Sequence, residues 1–179
     1  KPYTRAQWIE DLQLVIANNI LSRRFDILAK KEGADFLSGS AGTWEVFELL
    51  KAASLELICQ PDQWEAALNT AEQELRRALQ FGFTQAEIDE QRVMMLNFFE
   101  EAVKAAPTRH SSGLAGTIIS AIVQDAVFLN PEIELELVRE AVDGLTPETL
   151  LKKFRQAWET GGVKIFVSGN LELEDAEEK

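Results

Sequence analysis

Residues 20–56 read ILSRRFDILAKKEGADFLSGSAGTWEVFELLKAASLE, and this stretch decides the fold. It begins inside a long helical pattern that starts at Thr4, where a glutamine three residues later has the capping-box spacing. The helical pattern stops near Gly33. The next two segments, Ala34–Phe47 and Glu48–Gln60, contain no proline and predict two antiparallel strands. The stretch therefore predicts a long helix that leads directly into a sheet.

Helix-start signals recur along the rest of the chain. Capping-box pairs predict two helices, the first of which ends at Gly82, and the second of which ends before Pro107. Another helix is predicted at about 109–127, and two more begin where proline occupies the first helical position. The residues that mark these starts are Asp62 with Glu65, Thr84 with Glu87, Asn130 with Pro131, and Thr146 with Pro147.

Near the end of the chain, Val163–Ser168 reads VKIFVS, an alternating and β-branched pattern that predicts a third strand. Residues 1–170 are therefore interpreted as one domain, and residues 171–179 as an acidic tail that we expect to be disordered. The element order predicts an α+β fold of two layers, with helices packed on one face of a mostly antiparallel sheet.

Charge and composition exclude several classes of function. Eighteen Lys and Arg against thirty Asp and Glu give a net charge of −12, which repels nucleic acid and anionic membranes. The most apolar window, Gly113–Val123, is too short to span a bilayer. Cys59 is the single cysteine, so no internal disulfide is possible, and its strand pattern predicts a buried thiol. The chain opens with Lys1 rather than Met, so we expect a piece of a longer polypeptide.

The sequence predicts no catalytic or metal-binding residues. A zinc peptidase site needs two histidines on one helical face, an acidic ligand and a glutamate general base, whereas this chain has one histidine, His110. Ser111 and Ser112 follow His110, but adjacent side chains point in different directions, and the G-x-S-x-G elbow is absent. Carboxylates are interpreted as surface charge, including Glu100, Glu101, Glu132, Glu134 and Glu136.

Two further features in residues 20–56 have structural interpretations. Four positively charged residues lie near the end of the first helix. Ion pairs and a favourable interaction with the helix dipole explain them better than binding of a peptide carboxylate does. These residues are Arg23, Arg24, Lys30 and Lys31. The segment GSAG at 39–42 lacks the context of a phosphate-binding loop and predicts close backbone packing or strand bending.

Residues 20–56, together with FGFTQAEIDEQRVMML at 81–96 and the helical stretch 108–158, resemble the C-terminal-type domain of the insulinase-like zinc metallopeptidases (peptidase family M16, pitrilysin type). The resemblance covers roughly residues 5–170 and implies the LuxS/MPP-like metallohydrolase fold. In active halves of that family, the helix-to-strand junction often reads R-x-K-E-x-x-G-Y, and its Arg and Tyr help to hold substrate near zinc. Here Lys31 and Glu32 match, but Ala29 and Phe36 replace the polar pair.

The resemblance implies a non-catalytic domain of a bacterial zinc metallopeptidase. Such a domain would pack against a domain bearing the zinc-binding motif HxxEH, in the same polypeptide or a homologous subunit, and would line the chamber that holds the peptide substrate. Zinc is then expected in the parent protein and not in this chain, and the periplasm is slightly favoured over the cytoplasm. The alternative is a stand-alone binding or assembly scaffold that has lost catalysis, and a third possibility is an unrelated α+β binding module.

Overall fold

The computed structural model describes residues 4–46, 49–123, 125–159 and 161–170. The predicted acidic tail therefore lies outside the described residues. Two short 3-10 turns, Pro61–Gln63 and Ala106–Thr108, separate some of the longer elements. The helices and strands are α1 (Arg5–Ala29), β1 (Ser38–Val46), β2 (Leu50–Ile58), α2 (Trp64–Phe81), α3 (Gln85–Ala105), α4 (Ser111–Val123), α5 (Pro131–Val142) and α6 (Pro147–Trp158).

Most predicted helix starts are confirmed. Thr4, Thr84 and Thr146 are N-caps with complete capping boxes, and the Asn130 side chain accepts a hydrogen bond from the backbone N–H of Ile133. Each cap satisfies backbone donors that the first helical turn leaves unpaired. Short polar side chains at fixed spacing therefore fix where these four helices begin.

The predicted capping box of Asp62 and Glu65 is wrong. The backbone N–H of Gln63 donates to the carbonyl of Gln60 over 3.0 Å, which closes a 3-10 turn that includes Asp62. Helix α2 begins only at Trp64, and no side chain caps it. Asp62 lies inside the turn and not at the position from which a carboxylate reaches the third helical N–H.

Strands β1 and β2 form an antiparallel hairpin in which Ala41 lies opposite Leu55 and Trp44 opposite Ala52. Leu55 and Leu57 alternate with exposed residues and pack against the core, while Trp44 and Ile58 on the other face are exposed. The side chains of a strand alternate between its faces. Helices therefore cover one face of this small sheet, as the predicted α+β class requires.

The predicted third strand at Val163–Ser168 is wrong. In the part of the chain that the structure describes, the sheet contains only β1 and β2, and residues 163–168 adopt no regular structure. Val163 and Phe166 are each 90% exposed. Alternation and β-branching favour a strand only where a partner edge supplies hydrogen bonds, and no described strand pairs with this segment.

Helix α1 lies at the centre of the core, where it contacts β1, α5, α6 and α3. Its buried side chains include Ile16, Ile20 and Phe25. Buried Asn18 connects three elements, because it donates to Thr43 of β1 over 3.2 Å and accepts from the indole N–H of Trp158 in α6 over 3.1 Å. One helix thus carries both the apolar centre and a polar connection between sheet and helical layer.

Candidate functional site

The junction between α1 and β1 is where the family resemblance places a substrate-holding pair, and here it is apolar. Ala29 ends α1 and packs partly buried against the core. Phe36 is 3% exposed, and its ring lies edge-on to that of Phe25 with centroids 6.0 Å apart. Both side chains contribute to packing, and neither has a polar group to offer a peptide.

Close packing at this junction depends on Gly39 in β1. A Cβ atom added at Gly39 would lie 3.0 Å from Cβ of Phe25, whereas one added at Gly42 would meet nothing within 4 Å. The interpretation of the GSAG segment as a site of close backbone packing is therefore confirmed at Gly39 only. At Gly39, the backbone of β1 therefore lies directly against the Phe25 side chain in the last turns of α1.

The two arginines near the end of α1, Arg23 and Arg24, form ion pairs, as predicted. Arg24 binds Glu87 of α3 with two hydrogen bonds of 2.7 and 2.9 Å, and also donates to the carbonyl of Gly82 over 2.9 Å. Its guanidinium carbon lies 5.3 Å from the ring centroid of Phe83. Arg23 contacts Glu90 over 3.2 Å in a more exposed pair. These contacts join α1 to α3.

The environment of Glu87 makes its ion pair dependent on pH. Burial raises the pKa of Glu87, but hydrogen bonds from Arg24 and Thr84, together with the charge of Arg24, outweigh burial and hold the pKa below its ordinary value. A lowered pKa in the folded state stabilises the fold above the ordinary carboxyl pKa, and this contribution is lost as pH falls through the lowered pKa. The role of the pair is structural.

The remaining candidates do not come together into a site. Lys30 and Lys31 are exposed beyond the end of α1, and His110, Ser111 and Ser112 are exposed at the start of α4. Across residues 4–46, 49–123, 125–159 and 161–170, no group of three or more His, Cys, Asp or Glu side chains could hold a metal ion. Cys59 is half-buried, rather than fully buried, against the core.

The carboxylates that the sequence assigns to the surface are mostly found there. Glu101 pairs with Lys104 over 2.7 Å and Glu100 with Arg139 over 3.4 Å, while Glu132 and Glu136 are exposed. Glu134 differs because it is half-buried: burial raises its pKa, and the charge of Arg109 opposes that shift. The contacts of Glu100 and Glu101 are therefore those of surface ion pairs.

Two shallow depressions occur on the described surface, and neither resembles an active site. One lies along α6, and the other lies between the start of α1, α5 and α6. Their charged groups are ordinary surface residues, several of which form ion pairs, such as Lys153 with Glu10 over 2.9 Å. Neither depression contains His110, Cys59 or the junction between α1 and β1.

One surface feature was missed by the sequence reasoning: the apolar helix α4 has no buried residue among its described side chains. Ile119, Ile122 and Val123 are 61%, 74% and 73% exposed. The sequence predicted this helix but not its exposure. The available signal was the absence of any charged residue between Ser111 and Val123, which is unusual for a helix that faces water.

The described residues form an α+β fold in which the long helix α1 carries the hairpin β1–β2 and packs against α2, α3, α5 and α6, and they contain no catalytic constellation. No family model matches the sequence, and no curated protein matches it either. Solved structures do share the fold. They are bacterial proteases.

One is the crystal structure of the first half of the periplasmic protease PqqL from Escherichia coli, which is 20% identical with a TM-score of 0.78 over 86% of this chain. Another is the crystal structure of the periplasmic protease PqqL from Escherichia coli, which is 19% identical with a TM-score of 0.76 over 86% of this chain. A predicted insulinase family protease from Yersinia pestis is 16% identical with a TM-score of 0.74 over 87%. The chain has the fold found in these proteins.

The matched region is only part of each neighbour. It spans 33% of the PqqL first-half structure, 17% of the PqqL structure and 34% of the Yersinia pestis protein. The fold found here is thus one unit within those longer chains. Among the described residues of the present chain, no helix has both the length and the apolar composition needed to cross a bilayer.

Proposed function

We propose that this chain is a non-catalytic domain of an insulinase-type zinc metallopeptidase. It packs against a domain that bears HxxEH and lines part of the chamber in which that domain cleaves peptides. Zinc belongs to the catalytic domain and not to this chain. The fold shared with protease structures supports the class, and the periplasmic location of PqqL favours the same compartment here.

The observation that carries the proposal is the apolar junction between α1 and β1. The resemblance assigns a substrate-holding Arg and Tyr to these positions in active halves, but Ala29 and buried Phe36 occupy them here. The single histidine, His110, cannot supply a motif that requires two. A domain that keeps the fold while lacking both the zinc ligands and the polar pair fits an architectural role.

The test uses the polypeptide encoded by the complete reading frame. We expect it to contain HxxEH outside this chain, to bind zinc at one equivalent and to lose peptide cleavage when a chelator is added. Replacing the glutamate of HxxEH with glutamine should abolish cleavage, whereas His110→Ala, as the matched control, should leave zinc content and cleavage unchanged. Loss of zinc in His110→Ala would contradict the proposal.

The stand-alone scaffold remains the competing function, and the same experiment separates the two. A reading frame without HxxEH, whose product cleaves no peptide, would favour the scaffold. Tight equimolar zinc together with chelator-sensitive cleavage by this chain itself would overturn both proposals.

A further inference from the structure

The exposed apolar side of α4 is the feature that the proposed function does not yet explain. Ile118 and Ile122 are four residues apart, as are Ile119 and Val123, so these four side chains form one continuous strip. We call this strip the α4 face. Among the described residues, α4 packs extensively against no other helix or strand. Within the described part of the chain, the α4 face is therefore uncovered.

The ends of α4 are well formed, so its exposure does not reflect a poorly defined helix. The backbone N–H of Leu114 donates to the carbonyl of His110 over 3.1 Å at the start. At the end, Asp125 has a φ of 50°, its N–H donates to Ile122, and the N–H of Ala126 donates to Ala121 over 2.8 Å. These two bonds define a Schellman motif, which terminates helices in folded proteins.

The composition of the α4 face is that of a buried surface. The four side chains expose on the order of 400 Å², which is within the range of the largest apolar patches on monomeric proteins. Two further exposed apolar residues, Val127 and Phe128, lie four and five positions after Val123. No charged side chain interrupts 111–123, whereas the chain as a whole carries −12. A helix this apolar is normally covered.

We propose that the α4 face packs against the HxxEH-bearing domain of the same polypeptide. This inference rests on the proposed function and names the surface by which the domain carries it out. The partner surface is apolar and uncharged, because the α4 face offers no charged group to pair with a buried ion.

Three observations favour a tethered domain over a second copy of the chain. In the matched structures, this fold occupies about one third or less of a continuous polypeptide, so the remaining chain is held at high local concentration. An interface of roughly twice the α4 face is typical of domains within one chain, but it is small for a stable complex of separate molecules. Two copies would also repel, since each carries −12.

The experiment measures accessibility in the complete polypeptide. Ile119→Cys is placed at the centre of the α4 face, and the matched control is Glu136→Cys, which replaces an exposed side chain of α5. Maleimide labelling rates are compared with those of the urea-unfolded protein, and peptide-resolved mass spectrometry separates each site from Cys59. Relative to the rate in the unfolded protein, we expect labelling at position 119 to be at least about tenfold slower than labelling at position 136. Equal rates at the two positions would overturn the inference.

A second variant identifies what covers the face. Val123→p-benzoylphenylalanine at the rim of the strip is photo-crosslinked in a mixture of isotopically light and heavy protein. We expect crosslinks within one polypeptide to the HxxEH-bearing domain. Crosslinks between light and heavy copies would instead assign the face to self-association and overturn the inference.

Cleavage assays on the same samples separate the two proposals. Chelator-sensitive cleavage together with a freely reactive position 119 would reject the α4 interface alone. A polypeptide without HxxEH would reject the proposed function and, with it, the named partner of the α4 face.

Discussion

Helices α1 and α4 are both rich in apolar residues, yet they lie in opposite environments. Seven residues of α1 are buried, and they contact the sheet and the helical layer, whereas α4 has none among its described side chains. The polar residues of α1 also form contacts within the chain, such as those of Asn18 and Arg24. The comparison teaches that apolar composition alone does not place a helix in the core of its own chain, because the core forms where several elements converge.

The largest expected effect is at the centre of α1. Phe25 is fully buried and packs against Phe36 and Gly39. Phe25→Ala should lower the free energy of unfolding by about 3–5 kcal/mol, because it removes a large apolar contact and leaves a cavity. Urea denaturation followed by tryptophan fluorescence measures this loss. A loss below about 1 kcal/mol would mean that α1 is not the centre of the core.

The ion pair that joins α1 to α3 comes next. Arg24→Met should lower the free energy of unfolding by about 2–3 kcal/mol, because it leaves the half-buried Glu87 carboxylate without its main partner and removes the hydrogen bond to the carbonyl of Gly82. Arg23→Met is the matched control: its pair with Glu90 is more exposed, so the expected loss is about 0.5 kcal/mol or less. Equal losses in the two variants would contradict the structural role of Arg24.

The sequence predicts much of this fold because many signals are local. Thr4, Thr84 and Thr146 cap helices through hydrogen bonds that span only three residues, so their spacing is visible in the sequence. Asp62 has the same spacing, but the 3-10 turn at Pro61–Gln63 shifts the helix start. The local sequence pattern therefore predicts that a helix begins nearby, but it does not fix the residue at which the helix starts.

Features that depend on distant partners could not be predicted in the same way. Val163–Ser168 has strand composition, but only an available sheet edge makes a strand, and that is a property of the assembled fold. The exposure of α4 depends equally on which elements reach it. The junction between α1 and β1 contains one feature of each kind. The sequence itself shows that Ala29 and Phe36 replace the polar pair, whereas the burial of Phe36 against Phe25 depends on the assembled fold.

The two glycines of β1 test how closely the sheet approaches α1. Gly39→Ala should lower the free energy of unfolding by about 1–2 kcal/mol, because the added methyl group meets the side chain of Phe25 at 3.0 Å. Gly42→Ala is the matched control, since its methyl group would meet nothing within 4 Å. Chemical denaturation of both variants measures the difference. A loss at position 42 that equals the loss at position 39 would place the cause in strand conformation and not in contact with α1.

The smallest expected effect is on α4, and it completes the comparison of the two helices. Ile122→Ala removes a side chain that is 74% exposed, so the free energy of unfolding of this chain should change by less than about 0.5 kcal/mol. Ile16→Ala removes the same atoms from buried α1 and should cost about 2–5 kcal/mol. In the complete polypeptide, the cost of Ile122→Ala should rise if another domain covers the α4 face, because the lost methyl groups then leave a gap in a packed interface. Denaturation curves of both variants in both settings measure this shift, and an unchanged cost at position 122 would show that α4 stays exposed to water.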